Sequence, residues 1–296
     1  MKTCVIFNPA AKGNKARHFR HELDRIGSEC ALKPTAGPGD ARRLAALAVS
    51  EGFENVVAAG GDGTVNEVLN GLADAPNGFA HSRLGVLPLG TVNVFARELA
   101  IPLAIEAAWK VIRQGNERRI DLPFIEFMGG SGRASRCFAQ LAGAGLDARA
   151  IELVSWPLKK KIGPLAYVLA GFKALLSPPP RITATDGENA QTGELVLVGN
   201  GRLYGGTFRI FPRANLSDGR LDVCVFPRAR LLTVLRCGVP LVLFGRLPIG
   251  SYRSFQASSF TLTSPTPTAL EADGELIGHL PATFTLRPNA LRVLTP

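Results

Sequence analysis

The sequence has few of the side chains that bind transition metals or cross-link a chain. It contains only 4 histidines in 296 residues, and its 5 cysteines include no C-x-x-C pair. This odd number and spacing predict a reduced, cytosolic protein with neither a disulfide framework nor a zinc site. Because no two histidines have H-x-x-x-H spacing, a histidine metal site is not expected either.

Long apolar runs are also missing. A membrane-spanning helix needs about 18–20 uninterrupted apolar residues. The two most apolar stretches are residues 162–176, which contain a proline and a lysine, and residues 237–245, which arginines flank. The chain has no low-complexity tract, collagen repeat, long heptad run or N-terminal secretory segment. We expect a soluble globular protein that is at most attached to a membrane surface.

What the chain does have is a surplus of positive charge. Lysine and arginine total 34 against 24 acidic residues, which gives a formal net charge of +10. Such a charge favours an anionic partner, either a nucleotide, a nucleic acid or an acidic membrane surface. No basic patch is interleaved with aromatic residues that could stack on bases, so we expect no nucleic-acid binding.

Strand-like and helix-like segments alternate through the first 115 residues. Short apolar runs at residues 3–7, 55–59 and 84–87 predict buried strands, and helical periodicity separates them. Strands that alternate with helices form a parallel sheet with covered faces. The sequence therefore predicts a doubly wound α/β domain over residues 1–120.

After residue 121 the pattern changes to period-2 alternation, apart from one helical stretch around residues 151–176. Turn dipeptides separate the strand-like runs, among them Asp218-Gly219 and Asp273-Gly274. This predicts a mostly antiparallel, sandwich-like β domain over residues 121–287. The last strand, about residues 288–296, is expected to return to the first domain.

The segment Gly60-Gly61-Asp62-Gly63-Thr64 is the most informative one. A buried strand runs into three glycines and then into a helix, for which Thr64-x-x-Glu67 predicts a capping box. Glycines allow a ligand to approach the backbone, and free N–H groups at a helix N-terminus favour phosphate oxygens. Asp62 could hold Mg²⁺ at the rim of this loop. The alternative is a tight β–α turn that binds nothing.

Two familiar nucleotide signatures do not apply. The P-loop pattern G-x-x-x-x-G-K-[ST] is absent. Residues 143–148 imitate a dinucleotide-binding turn, but they lie where the chain leaves the α/β region, and no acidic residue follows about 20 positions later.

The glycine loop resembles the G-G-D-G-T nucleotide loop of the diacylglycerol kinase catalytic-domain family, in particular its soluble bacterial lipid kinases. Further motifs of that family have counterparts in the same order along the whole chain. The sequence departs from the family pattern at Lys12, which precedes the expected glycine, and at Val94, where many members have aspartate. The matching segments are residues 8–11, 88–102, 119–122, 163–176, 199–222 and 273–275.

This resemblance implies an ATP-dependent, Mg²⁺-dependent kinase that transfers the γ-phosphoryl group to the hydroxyl of a diacylglycerol-like lipid. The reaction would take place in the cleft between the two domains and would belong to phospholipid biosynthesis. The identity of the lipid and of the nucleoside triphosphate stays open. The residues implied to line the ATP cleft are Asn8, Pro9, Thr35, Gly60, Gly61, Asp62, Gly63, Thr64, Val65, Asn66, Glu67 and Thr91.

The resemblance also implies two metal sites. Asp62 and Asp121 would share a water network around the catalytic Mg²⁺. Asp218 would bind a second, structural Mg²⁺ together with the backbone carbonyls of Asn215 and Arg220. Carboxylate and carbonyl oxygens are the ligands that this hard cation prefers.

The general base for the lipid hydroxyl is implied to be Asp273 or Glu275. We favour Asp273, because the shorter side chain at the turn is held more rigidly. From the residues alone, Asp62, Asp121 and Asp273 suit metal-assisted phosphoryl transfer. A hairpin turn is the plain alternative for Asp218 and Asp273, since each precedes a glycine.

A lysine run at residues 159–161 precedes the apolar residues 165–176. These segments could attach a cytoplasmic protein to an anionic membrane, with the lysines on headgroups and the apolar side chains on acyl chains. A solvated lysine turn beside a core helix is the alternative. The oligomeric state, with a homodimer as one option, is left open.

Two other functions fit part of the pattern. A soluble-metabolite kinase of the NAD kinase type shares the glycine loop but should lack the Tyr204-Gly205-Gly206 and Asp273-Gly274-Glu275 segments. A non-catalytic lipid- or nucleic-acid-binding regulator should have lost acidic residues among Asp62, Asp121 and Asp273, and all three are present.

Overall fold

The amino-terminal half of the molecule is built on parallel strands, as predicted. The computed structural model describes residues 2–9, 14–130, 132–154, 165–248 and 250–296. The strands β1 (Thr3–Phe7), β2 (Ala31–Pro34), β3 (Asn55–Gly60) and β4 (Arg83–Pro88) lie in the order β2-β1-β3-β4, and each neighbouring pair is parallel. The helices around this sheet are α1 (Asn14–Gly27), α2 (Asp40–Ser50), α3 (Asp62–Asp74), α4 (Gly78–His81), α5 (Val94–Glu98) and α6 (Ile105–Gln114).

The remainder is dominated by antiparallel strands, also as predicted. They begin with β5 (Glu117–Gly129), β6 (Gly132–Cys137) and β7 (Leu141–Gly145) and end with β16 (Ala269–Ala272) and β17 (Glu275–Leu294). Between these lie β8 (Ile182–Thr185), β9 (Ala190–Gly193), β10 (Leu195–Gly199), β11 (Leu203–Tyr204), β12 (Phe208–Arg209), β13 (Leu221–Phe226), β14 (Arg253–Ala257) and β15 (Ser259–Thr263), with the helices α7 (Leu146–Leu153), α8 (Leu165–Leu175) and α9 (Leu231–Phe244).

Strand β17 joins the two halves. It pairs with β5 in antiparallel fashion, and near its end Val293 pairs in parallel with Leu84 of β4. Its first residues pair with β16. The hairpin between β16 and β17 is therefore continuous with a strand that reaches the parallel sheet. The turn of this hairpin contacts α3, where Asn66 Nδ2 donates to Asp273 Oδ2 at 2.7 Å.

The apolar side chains form separate cores in the two halves. One cluster surrounds β1, β3 and β4 and includes Phe95 and Trp109. A second cluster fills the antiparallel part, where Phe260 stacks on Phe284 with ring centroids 4.7 Å apart. The first core also contains Cys137, Ala139 and Leu216 of the antiparallel part, so it extends across the junction between the two halves.

Helix α9 differs from the sequence expectation, because only strands and one helical stretch were predicted for this region. Its sequence is almost uniformly apolar, so it has neither the 3.6-residue nor the 2-residue alternation on which the prediction depended. None of the helices in the described part of the chain combines the length and apolar composition that a membrane crossing requires. The lysines at residues 159–161 lie outside the described residues.

Candidate active site

The carboxyl ends of the four parallel strands bring most of the predicted nucleotide-binding residues to one edge. Asn8 and Pro9 follow β1, Thr35 follows β2, and Thr91 follows β4 by three residues. The Thr35 N–H donates to the Phe7 carbonyl at 2.8 Å, which holds the ends of β1 and β2 together. In open α/β sheets a ligand binds outside these ends, at the point where the strand order reverses. Here that point lies between β1 and β3.

The glycine loop is shaped by close backbone contacts. A Cβ atom on Gly60 would lie 2.2 Å from Thr64 Oγ1, and one on Gly90 would lie 2.5 Å from the Gly61 Cα. The Leu89 N–H donates to the Gly60 carbonyl at 2.9 Å. A side chain at either position would collide with the neighbouring atoms, so the loop after β3 and the loop after β4 pack directly against each other.

The predicted capping box is wrong. Helix α3 begins at Asp62 with Gly61 as its N-cap residue, and no side chain caps it. Glu67 instead accepts hydrogen bonds from the Gly39 and Ala41 N–H groups, both at 3.0 Å, at the start of α2. A capping box requires a non-helical Thr64, but the helix starts two residues earlier. Glu67 therefore caps a neighbouring helix, and no side chain in the described part of the chain caps the first amide groups of α3.

Asp62 is half-buried at the first turn of α3. Its Oδ1 atom accepts a hydrogen bond from the Phe95 N–H at 3.2 Å, at the start of α5. Within the described part of the chain its Oδ2 atom has no hydrogen-bond donor, so one carboxylate oxygen is available to a cation at the rim of the loop.

Asp121 is held differently. It is 1% exposed, and its two carboxylate oxygens accept the Gly219 N–H at 2.6 Å and the Asn289 N–H at 2.8 Å. The carboxylate thus ties the loop before β13 and the irregular part of β17 to β5. Among the described residues no hydrogen bond connects Asp121 with Asp62, and their shared water network around Mg²⁺ stays a prediction.

The residues of the predicted structural Mg²⁺ site form an exposed turn. The Asp218 N–H donates to the Asn215 carbonyl at a long 3.4 Å, and Asp218 Oδ1 accepts the Arg220 N–H at 3.1 Å. Gly219 has a φ of 75°, which such a turn requires. The turn therefore presents a weakly engaged carbonyl and a carboxylate, a donor set that suits Mg²⁺.

One cluster of possible metal ligands in the described chain lies outside the predicted sites. His18, Glu22 and Glu106 bring ligand atoms within 4.8 Å of one another. Its closest contact is an exposed pair in which His18 Nε2 and Glu106 Oε1 are 2.6 Å apart. Surface pairs of this kind are common without a metal.

Two asparagines on α3 connect the glycine loop to the antiparallel sheet. Asn66 and Asn70 are 0% and 1% exposed and lie one helical turn apart. Asn70 exchanges hydrogen bonds with the backbone of Cys137 on β6, at 3.0 and 2.9 Å. Asn66 Nδ2 donates to Asp273 Oδ2 at 2.7 Å. The side chain of Asn66, predicted to line the ATP cleft, therefore faces β6 and the turn between β16 and β17.

Asp273 is clamped by its surroundings. Its carboxylate accepts hydrogen bonds from Asn66 and from the backbone N–H groups of Ala139, Gln140 and Leu141, at 2.7 to 3.2 Å. Burial raises the pKa of this carboxyl, and the four hydrogen bonds lower it in part. Both carboxylate oxygens are thus occupied, and the Asp273 backbone has a left-handed φ of 48° at the turn between β16 and β17.

Glu275 is the carboxylate that this turn presents to the glycine loop. A Cβ atom on Gly63 would lie 3.4 Å from Glu275 Oε1. The other oxygen, Oε2, accepts a hydrogen bond from Arg136 Nη2 at 2.6 Å, and the same nitrogen donates to Asn66 Oδ1 at 2.7 Å. The contact with Arg136 orients the Glu275 side chain. Because that side chain is 39% exposed, it is also open to a ligand.

Sequence reasoning missed Arg136 and Asn70. The spacing Asn66-x-x-x-Asn70 inside an apolar helical stripe was a usable signal, because a buried amide must find a partner. Arg136 carried no comparable signal, since it is one of many arginines in a basic chain. Only strand pairing brings it opposite α3.

Two further acidic residues, Glu271 and Asp147, lie close to the turn between β16 and β17. Glu271 is 0% exposed, and its Oε2 atom accepts the Gly274 N–H at 2.9 Å. Burial and the neighbouring Asp147 carboxylate raise the pKa of Glu271 well above its ordinary value. Asp147 in turn accepts a hydrogen bond from the Tyr204 hydroxyl at 2.8 Å. Glu271 Oε1 has no N–H or hydroxyl donor among the described residues, and a proton shared with Asp147 would satisfy it.

Replacing Glu271 with glutamine should therefore flatten the pH dependence of stability. A buried carboxyl with a raised pKa keeps a proton that the unfolded chain releases above about pH 4.5. Its contribution to stability is thus present at low pH and is lost as the pH rises through the folded-state pKa, by about 1.4 kcal/mol for each unit of the shift. Urea unfolding at pH 5 and pH 8 measures the difference. The exposed Glu126→Gln is the control, and equal pH slopes for all three proteins would contradict the shared proton.

Two family models match the chain over successive parts. The model of the diacylglycerol kinase catalytic domain matches residues 2–125, which include the glycine loop and the parallel strands. The model of the YegS C-terminal NAD kinase beta sandwich-like domain matches residues 140–295, which include the turn that carries Asp273 and Glu275. The order of the two matches agrees with the observed fold.

Curated relatives are similar along the whole chain. The diacylglycerol kinase of Staphylococcus saprophyticus is 32% identical over 308 residues, which cover 99% of this chain and 94% of the relative. The diacylglycerol kinase of Staphylococcus epidermidis is also 32% identical, and the match covers 99% of this chain and 91% of the relative. A solved diacylglycerol kinase structure from Bacillus anthracis has a TM-score of 0.78 over 100% of this chain and 97% of its own, and its 23% identity makes it evidence for the fold. The chain thus belongs to the diacylglycerol kinase catalytic-domain family.

Proposed function

We propose that the protein transfers the γ-phosphoryl group of ATP to the hydroxyl group of a diacylglycerol-like lipid, with Mg²⁺ as cofactor. The observation that carries this proposal is the position of Glu275 Oε1 beside Gly63. A carboxylate from the antiparallel unit faces the loop that would bind phosphate, so an acceptor hydroxyl and a nucleotide could meet there. The names of the curated relatives support the same acceptor.

The residues of the parallel unit would bind and orient ATP. The amides at the start of α3 would donate to phosphate oxygens, since a helix N-terminus carries unpaired N–H groups and a partial positive charge. Asn8, Thr35 and Thr91 lie at the same edge, where the ribose and base would lie. Asp62 Oδ2 would hold the Mg²⁺ ion, which supplies positive charge to the transferring phosphoryl group.

Glu275 is the better candidate for the general base. The sequence alone favoured Asp273, but both of its oxygens already accept hydrogen bonds from the protein. Glu275 Oε1 would take the proton of the acceptor hydroxyl while Arg136 holds the other oxygen. The hydroxyl oxygen then forms a bond to the γ-phosphorus, the bond to the β–γ bridging oxygen breaks, and ADP leaves with the electron pair.

The direct test is transfer of label from γ-labelled ATP to a panel of acceptors. The panel should contain diacylglycerol, monoacylglycerol, a sphingoid base, a polyprenol, phosphatidylglycerol and NAD, and the products should be separated by chromatography. We expect label to appear in phosphatidate when Mg²⁺ is present. A chelator that withdraws Mg²⁺ should abolish the transfer. Label in NAD alone would support the soluble-metabolite alternative, and no label in any acceptor would favour a non-catalytic role.

A further inference from the structure

Helix α9 presents an apolar face to solvent. Its inner side packs through Cys237 and Leu241 against a small core that also contains Tyr204. Leu232 is 82% exposed, Val242 is 70% and Phe244 is 69%. Eight apolar residues of this helix are exposed, namely Leu231, Leu232, Val234, Leu235, Val239, Val242, Leu243 and Phe244.

This exposure differs from that of ordinary surface residues. Single exposed leucines are normal on a folded protein, but a contiguous apolar patch marks a docking site. Consecutive residues of a helix are about 100° apart. Six of the eight therefore lie within about a third of its circumference and form one surface, namely Leu231, Leu232, Leu235, Val239, Val242 and Leu243. The only charged side chain within the helix is Arg236, which is also exposed.

The charge around the helix narrows the choice of partner. Residues 223–270 contain no aspartate or glutamate, although the chain averages one acidic residue in about twelve. The same stretch contains five arginines, all of them exposed: Arg228, Arg230, Arg236, Arg246 and Arg253. Among the described residues only Arg230 of these five has an ion pair, with Glu194 at 3.9 Å. A partner for this surface must therefore supply apolar area and negative charge together.

A second copy of the chain does not meet that requirement. In a two-fold symmetric contact the same surface faces itself. Such a contact across α9 would bring the arginines of both copies together, and in the described part of each copy only Arg230 among them has an acidic partner, Glu194. Like charges across an interface oppose association.

We propose that α9 docks the protein on anionic phospholipid membranes. The leucines and valines of its apolar face would enter the boundary between headgroups and acyl chains, and the surrounding arginines would contact lipid phosphates. This inference adds a membrane-binding element to the proposed function. It rests on that function in one respect, since a lipid acceptor would come from the membrane. The small core under α9 includes Tyr204, whose hydroxyl binds Asp147 next to Glu271. The docking helix and the turn with Glu275 thus belong to one continuous part of the molecule.

The test is vesicle binding without ATP or acceptor, so that it does not depend on kinase activity. The vesicles contain phosphatidylcholine with or without phosphatidylglycerol. We expect binding only to the anionic vesicles, weakened by high salt. The triple variant Leu232→Gln, Val242→Gln, Leu243→Gln should bind at least about tenfold more weakly, and the double variant Arg228→Gln, Arg236→Gln should lose most of its preference for the anionic vesicles. The controls are Leu47→Gln, an exposed leucine on α2, and Arg113→Gln on α6.

A second measurement separates docking from catalysis. With a short-chain diacylglycerol presented in solution, the triple variant should phosphorylate the acceptor at the wild-type rate, because none of its three positions lies in the cleft. Wild-type vesicle binding by the triple variant would overturn the proposal, as would equal binding of the wild type to neutral and anionic vesicles. Light scattering that shows a wild-type dimer and a monomeric triple variant would assign the face to self-association instead.

Discussion

Glu275→Gln should lower kcat by at least about a hundredfold while ATP binding and the fold are retained. A positioned carboxylate typically contributes ~10²–10⁴-fold to a proton transfer of this kind. Glutamine keeps the size of the side chain, and its amide oxygen can still accept the hydrogen bond from Arg136. The change therefore removes the proton acceptor beside Gly63 and little else. Steady-state kinetics with a diacylglycerol acceptor, together with ATP titration, measure the two effects separately.

Asp273→Asn is the matched comparison, and its main effect should be on stability. Asparagine tolerates the left-handed φ of 48° at this position. However, its NH₂ group would face N–H donors that now bind a carboxylate oxygen. Leaving such donors unsatisfied costs about 1–3 kcal/mol, which urea unfolding would detect. If Glu275→Gln turns over normally and Asp273→Asn folds normally but is inactive, the base is Asp273 after all.

Asp62→Asn should also lower kcat by about a hundredfold or more. The amide oxygen of asparagine can still accept the Phe95 N–H, so the contact between α3 and α5 should survive. What the variant loses is the negative charge that would hold Mg²⁺ beside the transferring phosphoryl group. The measurement is kcat as a function of Mg²⁺ concentration, with the thermal midpoint as a check on folding.

Asp74→Asn is the control for this variant, since Asp74 ends the same helix and pairs with Arg42 at the surface. It should keep wild-type kcat. If Asp62→Asn retains more than about a tenth of the wild-type rate, less than ~1.4 kcal/mol of transition-state stabilisation depended on that charge. Asp62 would then be a structural residue of the loop.

Parts of the candidate site could be predicted from the sequence because they are local. Gly60, Gly61 and Asp62 lie on one loop between a buried strand and a helix, and short-range spacing is enough to identify such a loop. The predicted N-cap of α3, Thr64, lies three residues after the observed one, Gly61. The Thr64-x-x-Glu67 spacing does not reveal that Glu67 binds amides of α2 instead.

The partners of Asp273 and Glu275 could not be predicted in this way. Asn66 and Asp273 are separated by 207 residues, and Arg136 and Glu275 by 139. Each carboxylate precedes or follows the same glycine, so the sequence offered only side-chain length as a ground for choosing between them. The register of β16 with β7 and β17 decides that one side chain turns into a set of backbone amides and the other towards Gly63.

The sequence by itself determined the α/β and β order of the chain, the glycine loop and the acidic residues available for chemistry, because strand and helix periods and turn dipeptides are local properties. The tertiary structure decided how many carboxylate oxygens the protein itself engages in hydrogen bonds. In Asp121 and Asp273 both oxygens accept such bonds, whereas Asp62 and Glu275 each keep one oxygen available to a ligand. The tertiary structure also decided that α9 is a helix with its apolar side in solvent. The physical reason is that hydrogen-bond satisfaction and burial depend on neighbours distant in sequence. The pairing of β17 with β4, β5 and β16 brings the parallel and antiparallel strands into one sheet and those neighbours together.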